Sequence, residues 1–152
     1  MGKLILFVCT GNTCRSPMAE YYFNSRIKEM GKESEFNAVS RGLCVGSHLQ
    51  MSENAIKVLE SNNIMRNICD ILHISQQIDA EIMQKADIVY GITENHAKIL
   101  KKDYPQYGQK IFAMPENIND PYGGTLEVYK ECFEKIKQAV DIIIEELKNA
   151  GK

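Results

Sequence analysis

The 152-residue chain has no tryptophan, only four prolines and no excess of either charge: 18 Lys and Arg against 20 Asp and Glu leave a net charge of −2. So balanced a chain lacks the basic footprint that binding a phosphate polymer requires, which argues against DNA or RNA as a partner and confines any anion recognition to a local site. Long apolar runs are missing as well. The N-terminal run Leu4 to Cys9 is short for a secretory signal and far below the roughly 20 residues that cross a bilayer. The expectation is a cytoplasmic protein without membrane contact. The five cysteines are odd in number, follow no disulfide framework and include no Cys-x2-Cys pair, and His48, His73 and His96 are scattered. No metal and no cofactor are therefore expected, and Cys44, Cys69 and Cys132 read as packing residues.

What is present is ordinary for a globular protein, with 44% apolar and 25% charged residues and no stretch depleted enough to be a linker. One domain over residues 1–152 is the simplest reading at this length. Short apolar runs alternate with longer helical patterns, which predicts an α/β fold: a three-layer sandwich with a central four-stranded parallel sheet and helices on both faces. The strands fall at Lys3 to Cys9, Glu35 to Ser40, Asp87 to Ile92 and Lys110 to Ala113. Helices are expected at Pro17 to Met30, Ser52 to Ser61, Asp79 to Lys85, Thr93 to Asp103 and Leu126 to Asn149, the last with an apolar stripe of Val128, Cys132, Ile136, Ala139, Ile143 and Leu147 turned to the sheet. At the first helix, Ser16 before Pro17 reads as an N-cap with proline at the first helical position, Glu20 follows in the first turn, and Gly31 marks the stop.

Chemistry concentrates where the first strand meets the first helix, in Val8-Cys9-Thr10-Gly11-Asn12-Thr13-Cys14-Arg15-Ser16-Pro17. A cysteine at the mouth of a strand, five residues and then an arginine can wrap a loop round an oxyanion, with loop N–H groups, the guanidinium and the helix N-terminus all directed inward. Gly11 and Asn12 both tolerate positive φ, as such a loop demands. In this reading Cys9 is the nucleophile, because the same positive field and a Ser16 hydroxyl favour negative charge on its sulfur. Arg15 clamps two phosphoryl oxygens, a role that lysine cannot fill. Thr10, Gly11, Asn12, Thr13, Cys14 and Ser16 line the cradle. The departing group also needs a proton, and Asn119-Asp120-Pro121-Tyr122-Gly123-Gly124 offers one. In a doubly wound sheet the loops leaving the carboxyl ends of strands share a rim, so Asp120 can face Cys9 as general acid and Tyr122 can touch the substrate.

These two elements resemble those of the low-molecular-weight protein tyrosine phosphatases, whose V-C-x-G-N-x-C-R-S-P loop and late Asp-Pro-aromatic element are filled at every fixed position by Val8 to Pro17 and Asp120-Pro121-Tyr122. The resemblance spans the chain and implies phosphocysteine chemistry without a metal, acting on phosphorylated proteins or peptides, in a monomer or weak dimer. It further implies that Asn12 is held by a serine and a histidine from other loops, the places of Ser40 and His73, and that Cys14 can form a reversible disulfide with the nucleophile. Two departures stand out. The loop Gly42 to His48 contains no aromatic residue where family members usually have one, and the segment from Met114 to Asp120 is short. The run Cys9 to Glu20 is similar to that of bacterial protein arginine phosphatases, with Thr13 where tyrosine-directed members carry an aliphatic residue. A hydroxyl beside phosphorus suits a polar leaving nitrogen, so Thr13 tilts the expectation from phosphotyrosine toward phosphoarginine.

Three other functions fit the cradle. Arsenate reduction on the same fold needs further redox cysteines, and Ala86 to Leu100 has none. A non-catalytic phosphate binder would have no use for Cys9, Arg15 and Asp120 together, and a phosphotransferase to a sugar would not need the acid loop.

Overall fold

The computed structural model describes residues 2–64 and 73–150. Four parallel strands, β1 (Lys3–Cys9), β2 (Phe36–Gly42), β3 (Ile88–Gly91) and β4 (Ile111–Ala113), form one sheet in the order β2-β1-β3-β4. Around them run α1 (Arg15–Glu29), α2 (Glu53–Ser61), α3 (Ala80–Lys85), α4 (Glu94–Asp103) and α5 (Leu126–Ala150), with a 3-10 turn at Pro105–Lys110. The α/β class and four-stranded parallel sheet expected from the alternation of patterns are the ones observed.

The two-residue period of β1 divides its side chains between two cores. Ile5, Phe7 and Cys9 join Ala38, Tyr90 and Ile92 beneath α1, α2 and α5, while Leu6 and Val8 join Val89 and Ile111 beneath α3 and α4. A strand covered on both faces must be apolar throughout, and Ile5 to Val8 are each 0% exposed. Because Cys9 falls on the α1 side of this alternation, its sulfur emerges under the N-terminus of the helix that follows. Strand order reverses between β1 and β3, and ligands of doubly wound sheets bind at such a switch point, beyond the carboxyl ends of the strands. The stripe on α5 packs as expected, with Cys132, Ile136, Ala139, Ile143 and Leu147 buried, although Val128 is exposed.

α1 departs from its reading at the start and matches it at the end. The helix begins at Arg15 with Cys14 in the cap position, so Ser16 lies inside the first turn rather than capping it, and Glu20 lies in the second turn rather than the first. The loop supplies the cause: Met18 N–H already bonds the Cys14 carbonyl, and the Ser16 hydroxyl is drawn to Cys9 and Asn12 instead. At the other end Gly31 takes φ 67° while Gly31 N–H bonds Lys28 O and Lys32 N–H bonds Ile27 O. This is a Schellman closure, which glycine makes without a Cβ penalty.

Candidate active site

The loop from Cys9 to Arg15 curls round a cavity of about 240 Å3 whose wall includes Thr10, Thr13, Cys44, Leu49, Asp120 and Tyr122. Its shape rests on one buried side chain. Asn12 adopts φ 58° and is 0% exposed. Its amide nitrogen donates to Ser16 Oγ at 2.8 Å and Ser40 Oγ at 2.9 Å, and its amide oxygen accepts from Gln76 N–H at 3.0 Å. His73 Nε2 donates to the Asn12 carbonyl at 2.8 Å, which places the proton on that ring nitrogen, while burial pushes the histidine below its ordinary range. Ser40 and His73 thus both bond Asn12, one at its side chain and one at its carbonyl.

The hydrogen directions in this network follow from one another. Ser40 donates to Glu20 Oε1 at 2.6 Å, so its oxygen is free to accept from Asn12. Ser16 accepts the second amide hydrogen, leaving its own for Cys9 Sγ at 2.9 Å. A thiolate at Cys9 would therefore meet a donor already aimed at it. Glu20, whose carboxyl is pushed up to about 6 chiefly by burial, anchors the far end of the chain. In the sequence it reads only as an acidic residue of the first helical turn, and nothing local points to Ser40 as its partner.

Arg15 is only 6% exposed, not the surface side chain that most helix-starting arginines are. Nη1 donates to the Ile118 carbonyl at 2.9 Å and Nη2 lies 3.8 Å from Asp120 Oδ2. The loop carrying Ile118 and Asp120 is thereby tied to the Cys9–Arg15 loop through the arginine itself. Asp120 Oδ1 also accepts from Tyr122 N–H at 3.0 Å, closing a turn that holds the carboxylate over the cavity. Tyr122 is 78% exposed at the rim. Despite its short approach, the segment from Met114 brings Asp120 to the cavity wall.

Close approach at the base of the cradle depends on a glycine that ends β2. A Cβ on Gly42 would lie 2.8 Å from Thr10 O and 2.6 Å from Val45 Cγ2. Removing it lets Leu43 N–H and Cys44 N–H bond the carbonyls of Cys9 and Thr10 at 2.9 Å each, stitching the two loops together. This close packing turns Cys44 outward: it is exposed on the cavity wall, not packed as expected, because its backbone rather than its side chain meets the cradle. Cys69 lies outside the described residues. Cys132 is buried, with its thiol pushed up to about 12 chiefly by desolvation and directed to the Asn119 carbonyl. Cys9 and Cys14 are free thiols, and Cys14 Sγ sits 3.4 Å from Ser52 Oγ and 3.3 Å from Tyr129 Oη. Among the described residues no group of three His, Cys, Asp or Glu side chains is placed to hold a metal ion, and no helix is long and apolar enough to cross a membrane.

One cradle neighbour was missed in the sequence. His96, 4% exposed at the start of α4, brings Nε2 within 3.0 Å of Thr10 Oγ1. Its signal was the Thr93-Glu94-Asn95-His96 spacing of a capping box, with histidine in the place of the usual glutamate or glutamine.

The family model described as low molecular weight phosphotyrosine protein phosphatase matches residues 4–152. The chain belongs to that family. It is 31% identical over 151 residues to the protein-arginine-phosphatase of Bacillus subtilis, covering 95% of this chain and 96% of that one. It is 32% identical over 138 residues to the low-molecular-weight protein-tyrosine-phosphatase PtpB of Staphylococcus aureus, covering 87% and 90%. Among solved structures, a cysteine-to-serine mutant of the YwlE arginine phosphatase with a phosphorylated active-site serine superposes with a TM-score of 0.85 at 31% identity, covering 95% of each chain. The relatives are protein phosphatases, and this family member is a hydrolase of that kind.

Proposed function

We propose that this phosphatase works through a phosphocysteine on Cys9, with Arg15 and Asp120 as its other catalytic residues, and that phosphoarginine is its preferred substrate over phosphotyrosine. The observation carrying the reading is the convergence on one cavity of three groups: a Cys9 sulfur with the Ser16 hydroxyl 2.9 Å away, a buried Arg15, and an Asp120 carboxylate 3.8 Å from that arginine. Loop N–H groups from Thr10 to Ser16 and the Arg15 fork bind the phosphoryl oxygens, whose shared negative charge the buried guanidinium stabilises in the transition state. The Cys9 thiolate attacks phosphorus as the bond to the leaving oxygen or nitrogen breaks, and Asp120 gives that atom its proton. Asp120 then takes a proton from water, whose oxygen attacks the phosphocysteine. Inorganic phosphate leaves and the thiolate, held by Ser16, is restored.

The phosphorylated serine in the YwlE mutant supports a covalent step at the matching side chain, and relatives named for each substrate keep both open at the level of the family. Thr13 supports the narrower choice. It lines the cavity with a hydroxyl where an aliphatic residue would favour a flat phenol, and the wall of Cys44, Val45 and Leu49 offers no second aromatic surface opposite Tyr122. Initial rates on matched phosphoarginine and phosphotyrosine peptides, for the native chain and Thr13→Ile, test this. The expected result is a native preference for phosphoarginine that moves toward phosphotyrosine in the variant; an unchanged ratio removes Thr13 as selector. Arsenate-dependent turnover with thioredoxin that exceeded phosphate release would overturn the hydrolase mechanism.

A further inference from the structure

The ring of His96 bridges two backbone elements that are remote in sequence, and its two nitrogens face different partners. Nδ1 lies 3.1 Å from Thr93 N, and a backbone N–H can only donate. Nδ1 must then be the bare nitrogen, and the ring proton resides on Nε2. Nε2 faces Thr10 Oγ1 at 3.0 Å, so the histidine donates and the threonine oxygen accepts. That direction has a consequence for Thr10. Its hydroxyl hydrogen cannot turn back to the ring, and the side chain lines the cavity beside Cys9 and Arg15.

We propose that His96 is a positioning residue that fixes the Thr10 hydroxyl as a hydrogen-bond donor to the phosphoryl group in the cradle. The inference rests on the phosphate-cradle reading above.

Three features of the structure hold the arrangement. Thr93 Oγ1 accepts from His96 N–H at 3.2 Å, so the residue that receives its cap from the ring also anchors the ring's backbone. Glutamate at this helix position would accept the Thr93 N–H equally well but would have no hydrogen left to donate; histidine completes the cap with one nitrogen and keeps the other for the loop. Second, Gly91 at the end of β3 allows α4 to come close enough. A Cβ there would lie 2.5 Å from Ala97 N and 3.0 Å from the His96 carbonyl carbon. Third, burial and the nearby Arg15 charge keep the ring neutral, pushing it down to about 4, against the smaller opposing pull of Asp120. A protonated ring would carry a hydrogen on Nδ1 facing the Thr93 N–H and would lose the cap.

A double-mutant cycle on oxyanion binding tests the proposal, with inorganic phosphate and orthovanadate as probes and competitive inhibition of aryl phosphate hydrolysis as the readout. His96→Asn places a carbonyl oxygen where Nδ1 stood, so Thr93 N–H keeps its acceptor and the melting temperature persists, while the shorter amide does not reach Thr10 and the aimed donor is lost. His96→Asn and Thr10→Val are each expected to weaken vanadate inhibition by about tenfold, the scale of one hydrogen bond to a charged group. Combined, they should cost no more than either alone, and Thr10→Ser should stay near native. Losses that multiply in the double variant, or a Thr10→Ser variant as weak as Thr10→Val, overturn the inference while leaving the cradle intact. A native chain that neither anion inhibits overturns the cradle reading and this inference with it.

Discussion

On one side of the cleft, Asn12, Arg15 and Ser16 are 0%, 6% and 0% exposed and each has a hydrogen-bond partner outside its own turn. On the other, the Asp120 side chain is 56% exposed and Tyr122 is 78% exposed, with the turn held by Asp120 Oδ1 to Tyr122 N–H and by Gly124 N–H to the Pro121 carbonyl. In the proposed mechanism the two walls face different tasks. An anion cradle gains most from donors that need no reorganisation when charge arrives, whereas an acid that must first protonate a leaving group and then serve a water needs room on its outer side. Arg15 joins the walls, because one nitrogen holds Ile118 and the other approaches Asp120. Damage to the buried wall should therefore cost binding and stability together, and damage to the exposed wall should cost rate alone.

The largest effect expected is that of Cys9→Ser, which should reduce turnover to background, a loss on the order of 10⁴ or more. Serine keeps the strand and the bond to Ser16, so phosphate should still raise the melting temperature of the variant. Loss of that stabilisation would mean that the sulfur itself builds the cradle. Asp120→Asn comes next, with kcat on activated and natural phosphate esters falling by about 10² to 10⁴ while inhibition by inorganic phosphate changes little. If phosphate affinity falls as steeply as rate, Asp120 belongs to the binding wall and the contrast between the walls fails.

Asn12→Ala attacks the buried wall directly. It strands the Gln76 N–H and leaves the Ser16 and Ser40 hydroxyls without their shared donor. It also places alanine at φ 58°. Together these should lower unfolding free energy by about 3 kcal/mol and weaken phosphate binding at the same time. Urea unfolding checks the first part, and Asn12→Gly, which removes the backbone strain, should recover a minor share. A stable Asn12→Ala chain with native phosphate affinity would show that the loop holds its shape through backbone contacts alone.

Much of this molecule was legible before its fold was known, and what was hidden has a common cause. The strands Lys3–Cys9 and Ile111–Ala113 and the helix starting at Leu126 lie where period and composition put them, because burial on one or two faces writes itself into local spacing. The cradle was legible because its backbone needs (Gly11, Asn12, a cysteine at a strand end, an arginine at a helix start) fall within one short segment. Ser16 misled as a cap because the competition for its hydroxyl comes from Cys9 and Asn12 through the folded loop, which local cap rules do not see. Glu20 and His96 were hidden in the same way: their partners Ser40 and Thr10 lie 20 and 86 residues away, so only the fold brings them together. Cys44 followed the usual fate of cysteine in the prediction and the demands of Gly42 in the structure, where tight backbone contact with Thr10 turns its side chain outward.

The smallest expected effect probes the buried wall at its far end. Glu20, pushed up from 4.5 to about 6 chiefly by burial, opposed by Ser40 and Arg41, binds its proton more tightly folded than unfolded. Its contribution to stability is thus fully present below pH 4.5 and is lost as pH rises through about 6, a change of about 2 kcal/mol by linkage. His96 has the opposite sign in an overlapping window. Its pKa is depressed to about 4, so its contribution is present above 6.5 and is lost as pH falls through about 4. The two trends offset each other in the native chain, which makes a simple pH–stability curve uninformative. Glu20→Gln separates them, since its carbonyl can still accept from Ser40 but does not titrate. Urea unfolding of both chains should show the variant gaining on the native protein by about 2 kcal/mol between pH 4.5 and 7.5. A constant difference across that range would mean that solvent reaches Glu20, and that the chain of hydrogen bonds behind Cys9 ends in water rather than in a buried carboxyl.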